Sequence, residues 1–153
     1  MDSKLKEQMA KMVDAVQPHC EEPIIAAMTC SHAGSMRSTL FAKFLDGAGE
    51  GFRSNDLPNP VFIAVGENTI YAFKYKPSWF KFKIKKEVAR WPKDQVILTF
   101  EETNAMCYFV LTMKSGESIP LEIPIMMGGK ELVHMFLDAM GGVNHSKDTV
   151  DTR

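Results

Sequence analysis

Apolar residues in the first stretch of the chain fall at Leu5, Met9, Met12, Val13 and Val16. This is the i, i+4, i+7, i+8 rhythm of one helical face, so a helix is expected over residues 3–17. Asp2 and Ser3 suit its N-cap, and Pro18 stops it. The run Ile24 to Cys30 is short, apolar and bounded by turn residues, which reads as a strand despite Ala26 and Ala27. Within the long connection 31–59, Met36, Leu40, Phe41, Phe44 and Leu45 share a helical face that ends at Gly47. Gly47, Gly49 and Gly51 with Ser54-Asn55-Asp56 then read as a loop.

From residue 61 the period changes to two. Val61 to Val65 and Thr69 to Tyr75 flank a turn at Gly66-Glu67-Asn68, the pattern of a hairpin. Phe80, Phe82 and Ile84 alternate with Lys81, Lys83 and Lys85, which describes a strand with one wet face. Trp91-Pro92-Lys93-Asp94 is expected to turn, and Gln95 to Phe100 and Met106 to Met113 read as further strands. Lys114-Ser115-Gly116-Glu117 closes a hairpin onto Ser118 to Ile123, where Pro120 and Pro124 mark an edge or bulged strand. Leu132, Val133, Phe136, Leu137 and Met140 line a closing helix over 130–140 that ends at Gly141-Gly142. Seven antiparallel strands joined by short turns curl to hide their edges, and the last helix is expected to cap one open end. The prediction buries Tyr71, Phe73, Phe80, Phe82, Ile84, Val96, Leu98, Phe109 and Leu111.

The 153 residues suit one domain, with 45% hydrophobic and 24% charged residues. The expected division is a single domain over 1–142, with a β-rich body over 24–124, followed by a polar, flexible tail over 143–153. Three cysteines, Cys20, Cys30 and Cys107, do not form a disulfide framework by count. The opening residues lack a secretory leader, no apolar window reaches membrane-spanning length, and a cytoplasmic location is expected.

Net charge is −1 overall, which gives no bulk attraction to nucleic acid or membrane. Locally the picture differs. Lys74, Lys76, Lys81, Lys83, Lys85, Lys86, Arg90 and Lys93 stand against the single anion Glu87, so residues 74–93 carry +7 and the rest of the chain −8. Tyr75, Trp79, Phe80, Phe82 and Trp91 are interleaved. Such a stripe suits an anionic partner, whether lipid headgroups, an acidic protein or single-stranded nucleic acid stacked on the aromatics. The plain alternative is a solvated face that protects a sheet edge. Nucleic acid is the disfavoured partner, since an alternating strand offers no base-reading element and the chain is not basic. Trp79 is placed at the tip between two strands, exposed.

Other constellations carry less. His19-Cys20 and Cys30-Ser31-His32 lack the spacing of a zinc site, and no orienting acid or oxyanion hole accompanies them as a nucleophile pair. Gly47-x-Gly49-x-Gly51 follows a helix, and Gly128-Gly129-Lys130 lacks the flanks of a phosphate loop. No catalytic residue, cofactor or metal is assigned. The methionines at 9 and 12 fill gaps or, alternatively, offer an adaptable protein-binding face on the first helix.

The order of seven strands and a C-terminal amphipathic helix resembles the pleckstrin-homology (PH) superfold. Leu57-Pro58-Asn59-Pro60-Val61-Phe62-Ile63-Ala64-Val65, Trp91-Pro92 and Lys114-Ser115-Gly116 are similar to segments of small bacterial PH-like domain proteins. The resemblance covers roughly residues 22–140. It implies a mainly β (α+β) fold: a seven-stranded antiparallel barrel or sandwich capped by the C-terminal helix, with an extra N-terminal helix and a helix inserted after the first strand. It further implies a non-catalytic binding or scaffolding module for a protein or an anionic, lipid-like partner. The other reading is a small enzyme or ligand carrier that uses a barrel pocket. Two features depart from the eukaryotic pattern: Phe136 stands where a tryptophan is usual, and Arg37, Lys43 and Arg53 are too scattered for a compact basic loop.

Overall fold

The computed structural model describes residues 3–32, 57–77, 82–125 and 129–141. The helix expected around Met36 to Leu45, the glycine loop, Trp79, Phe80, Lys81 and the tail fall outside these residues. Helix α1 spans Ser3–Val16 and runs into a 3-10 turn at Gln17–His19. The strands are β1 (Ile24–His32), β2 (Val61–Gly66), β3 (Thr69–Pro77), β4 (Phe82–Pro92), β5 (Val96–Glu102), β6 (Met106–Met113) and β7 (Ser118–Pro124). Helix α2, Gly129–Ala139, closes the chain. No described helix is long and apolar enough to cross a membrane.

All seven strands join one antiparallel sheet in the order β4-β3-β2-β1-β7-β6-β5. Among the described residues, strand β1 pairs with β2 from Ile24 to Cys30 and with β7 at Ser31 and His32. It therefore hinges two half-sheets. Below that junction the Ala27 N–H donates to the Met9 thioether of α1, 3.3 Å away. Helix α1 thus buries Met9, Met12 and Val16. The apolar face expected as a possible protein-binding surface is spent on the core instead.

Strands β4 and β5 are the two outer strands of the sheet, yet only Lys93–Gln95 separates them in the chain. The four steps from Pro92 to Val96 reach about 14 Å at most. The sheet must therefore curl until its two edges meet at this corner. Among the described residues no ladder joins β4 to β5, so the sheet is curled with an open seam, and the expected barrel does not close. Helix α2 packs on the inner face. Phe136 is fully buried, edge-on to Phe109 with ring centroids 6.0 Å apart.

Several expectations need correction. Trp91 and Pro92 end β4 as strand residues opposite Ile70 and Thr69, and the turn starts at Lys93. Strand β7 is internal, flanked by β1 and β6. Its prolines pair with β6, Pro120 opposite Val110 and Pro124 opposite Met106. Val96 and Phe82 are half-buried, not core residues, whereas Tyr71, Phe73, Ile84, Leu98, Phe109 and Leu111 are buried.

Candidate functional site

The lysine-rich segment becomes interpretable once the β3–β4 register is fixed. Alternate residues of a strand face opposite sides, and directly paired residues share a side. Lys74 pairs with Lys86 and Lys76 with Lys83, on the side shared by Ile70 and Ala72. Tyr71, Phe73 and Tyr75 face the other side with Arg90, Glu87 and Ile84 as partners. The last β2–β3 pair is Phe62 with Phe73. Beyond it, residues 74–77 and 82–86 form a two-stranded arm with two unlike faces.

One face of the arm is cationic, and all four lysines on it are exposed. Strand geometry sets their Cα atoms about 5 Å apart across the pair and about 7 Å apart along the strand. The other face is aromatic: Phe62, Tyr75 and Phe82 pack edge-on with centroids 5.5 to 6.1 Å apart. Two register shifts, one between Ala72 and Phe73 and one between Lys74 and Tyr75 of β3, leave Val88 and Lys85 as extra residues on β4. Each bulge resets the alternation. That keeps Lys83 and Lys86 on one face although they are three residues apart.

The structure does not place the whole stripe together. Arg90 lies on the opposite side. Its guanidinium holds Glu87 through two bonds of 2.6 and 2.8 Å, reaches Glu21 at 2.9 Å, and sits 5.1 Å above the Tyr71 ring. The bond from Arg90 keeps the Glu87 carboxyl below its ordinary range, and Glu87 and Glu21 raise Arg90 in turn. Arg90 is thus an internal clamp and not a free cation. Lys93 sits at the far end of β4, where its Nζ donates to the Gly66 carbonyl at 3.0 Å. The bulged Lys85 is exposed.

Glu22 forms a second clamp nearby. Its carboxylate accepts the Asn68 N–H at 2.8 Å and the Tyr71 O–H at 3.0 Å. Burial opposes its ionisation, but bonds from Asn68, Thr69, Tyr71 and Glu67 outweigh burial and lower its pKa. Burial first, then this carboxylate, pushes the Tyr71 hydroxyl up to about 12. The side chain presses on Gly66, where an added Cβ would come within 2.6 Å of the Glu22 Cδ. Glycine there lets the clamp close.

A cavity of about 770 Å³ opens at the seam, bounded by the β2–β3 turn, the β4–β5 corner, β5, the β6–β7 turn and the end of α2. Pro92, Val96, Leu98 and Met140 supply apolar wall, while Glu67, Lys93, Asp94 and Lys114 supply charge. The corner is tied by Lys93 N–H to Asn68 O and Lys114 N–H to Gln95 O, both 2.9 Å. Nothing in the sequence pattern announces this cavity, because it depends on how far the sheet curls.

The two histidine–cysteine clusters stay apart. Cys20 lies beside Glu87 and Arg90, and burial together with Glu87 raises its thiol to about 11. Cys30 is buried on the inner face near Cys107, and burial raises both thiols. Among the described residues no group of three metal-ligating side chains converges. Comparison with protein-family models, curated proteins and solved structures returns no match.

Proposed function

We propose that this chain is a non-catalytic binding module of PH-like type whose β3–β4 arm docks on an anionic partner, a protein or a lipid-like surface. The observation that carries the reading is the pairing of Lys74 with Lys86 and Lys76 with Lys83 on one exposed face. Like charges placed directly opposite destabilise a sheet. Both strands of the arm are edges, since β3 has no described β2 partner beyond Phe73. Edge protection accounts for charge on either strand, but not for like charges set directly opposite each other. An anionic partner supplies the missing reason, because it would neutralise all four at once. The carboxylate next to Lys86 in the chain, Glu87, faces the other side and is held by Arg90.

The PH-like assignment is supported by the order of seven antiparallel strands and the closing helix. The test compares wild type with the triple variant Lys74→Glu, Lys83→Glu, Lys86→Glu at low salt. One arm uses vesicles rich in anionic lipid and the other uses an immobilised acidic protein. Retention of the wild type by either, lost in the variant, supports the reading and identifies the partner class. Equal behaviour of both proteins on both supports sinks it. The ligand-carrier alternative has the seam cavity as its supporting observation.

A further inference from the structure

The seam cavity contains a group for which the anionic-partner reading has no use. Lys93 lines it from the β4–β5 corner, half-buried, with its Nζ fixed on the Gly66 carbonyl at 3.0 Å. Its backbone is immobilised as well, since Lys93 N–H donates to Asn68 O and the adjoining turn is tied by Lys114 N–H to Gln95 O. Burial lowers the Lys93 pKa against the opposing pull of Glu22 and Glu67. A lysine partly withdrawn from water gives up its proton more readily, and the free amine is the nucleophile. The arm lysines are exposed on a solvated ribbon and lack such a setting.

We propose that Lys93 is a covalent capture site whose Nζ condenses with a small apolar aldehyde or ketone entering the seam cavity. The volume, about 770 Å³, is in the range of small-molecule sites, and Val96, Leu98 and Met140 give the carbonyl compound an apolar wall. The lone pair on Nζ attacks the carbonyl carbon, a C–N bond forms, and the carbonyl π electrons move to oxygen. The resulting carbinolamine loses that oxygen as water together with both hydrogens of the original amine, which leaves an imine. No oxidant or reductant takes part. Glu67 and Asp94 stand in the same lining as proton carriers for the loss of water. The site lies at the turn end of the sheet and the lysine arm at the β3–β4 end, so each proposal stands or falls alone.

The test uses the intact chain, a limiting amount of propionaldehyde and cyanoborohydride near neutral pH. The hydride reduces each imine to a stable secondary amine, and peptide mass mapping locates it. The expected result is a higher occupancy at Lys93, half-buried in the cavity lining, than at the exposed Lys74, Lys76, Lys83, Lys85 or Lys86. The preference should vanish in urea, where the cavity is gone. Lys93→Arg keeps the cation and should lose that label alone, with a thermal melt reporting that the variant is folded. Labelling of Lys93 at or below the level of the arm lysines in the folded wild type overturns the proposal, as does a preference that survives unfolding.

Discussion

Replacing Phe136 with alanine tests whether α2 is the plug of the curled sheet. The side chain has no exposed surface and stands edge-on to Phe109 at 6.0 Å. Truncating a fully buried phenylalanine costs about 3–5 kcal/mol, from lost transfer free energy and the cavity left behind. The aromatic pair places this site toward the top of that range, since such pairs contribute about 0.5–1.5 kcal/mol beyond area. For a chain of this length each kcal/mol lowers the melting temperature by about 2–4 °C, so a fall of about 6–20 °C is expected. Urea titration followed by far-UV circular dichroism measures the free energy directly. Phe82→Ala is the control. Phe82 is half-buried on the arm, so its loss should cost about half as much. A loss below about 1 kcal/mol for Phe136→Ala, or a larger loss for Phe82→Ala, would refute the packing argument.

Three further outcomes follow from the clamps and the arm. Glu22 has a lowered pKa in the folded state, so its contribution is present above its unfolded pKa and is lost as pH falls through the folded value. Glu22→Gln should cost about 1 kcal/mol at neutral pH, a figure kept small because water reaches the carboxylate, and the difference from wild type should shrink on acidification in thermal melts. Tyr71 has a pKa raised to about 12, so its contribution is complete below about 10 and is lost as pH rises toward 12. The wild type should lose stability across that window, and Tyr71→Phe should lose less. Lys74→Ser removes one half of a like-charge pair and should raise stability by up to about 1 kcal/mol at low salt, with the gain shrinking at high salt.

Alternation made most of the strands legible. Met106 to Met113 matches β6 residue for residue, because its neighbouring turns carry strong signals: Gly116 adopts a φ of 112° that favours glycine. The ends of β4 were not legible. Its two bulges break the period that the eye follows, and Trp91-Pro92 looks like a turn until the partners Ile70 and Thr69 are known. The cationic candidates divide for the same reason. Sequence grouped Arg90 and Lys93 with the arm lysines, whereas register sends Arg90 to the other face and strand length carries Lys93 to the other end. The seam cavity is set by long-range curl between strands that are adjacent in sequence and outermost in the sheet. No local pattern encodes that.

The central claim, an anionic partner for the arm, is tested most directly by vesicle co-sedimentation across a salt series. Each lysine near an anionic membrane contributes about 1 kcal/mol, so four give about 4 kcal/mol, or roughly a thousandfold in partitioning over neutral vesicles. The account predicts that wild type sediments with anionic vesicles at low salt and is released near physiological salt, where the screening length shortens to about 8 Å. The Lys74→Glu, Lys83→Glu, Lys86→Glu variant should stay in the supernatant throughout. An acidic-protein partner would show the same salt profile on an immobilised acidic protein instead. Wild type left in the supernatant at low salt with both supports would contradict the account and leave the lysines as a solvated face.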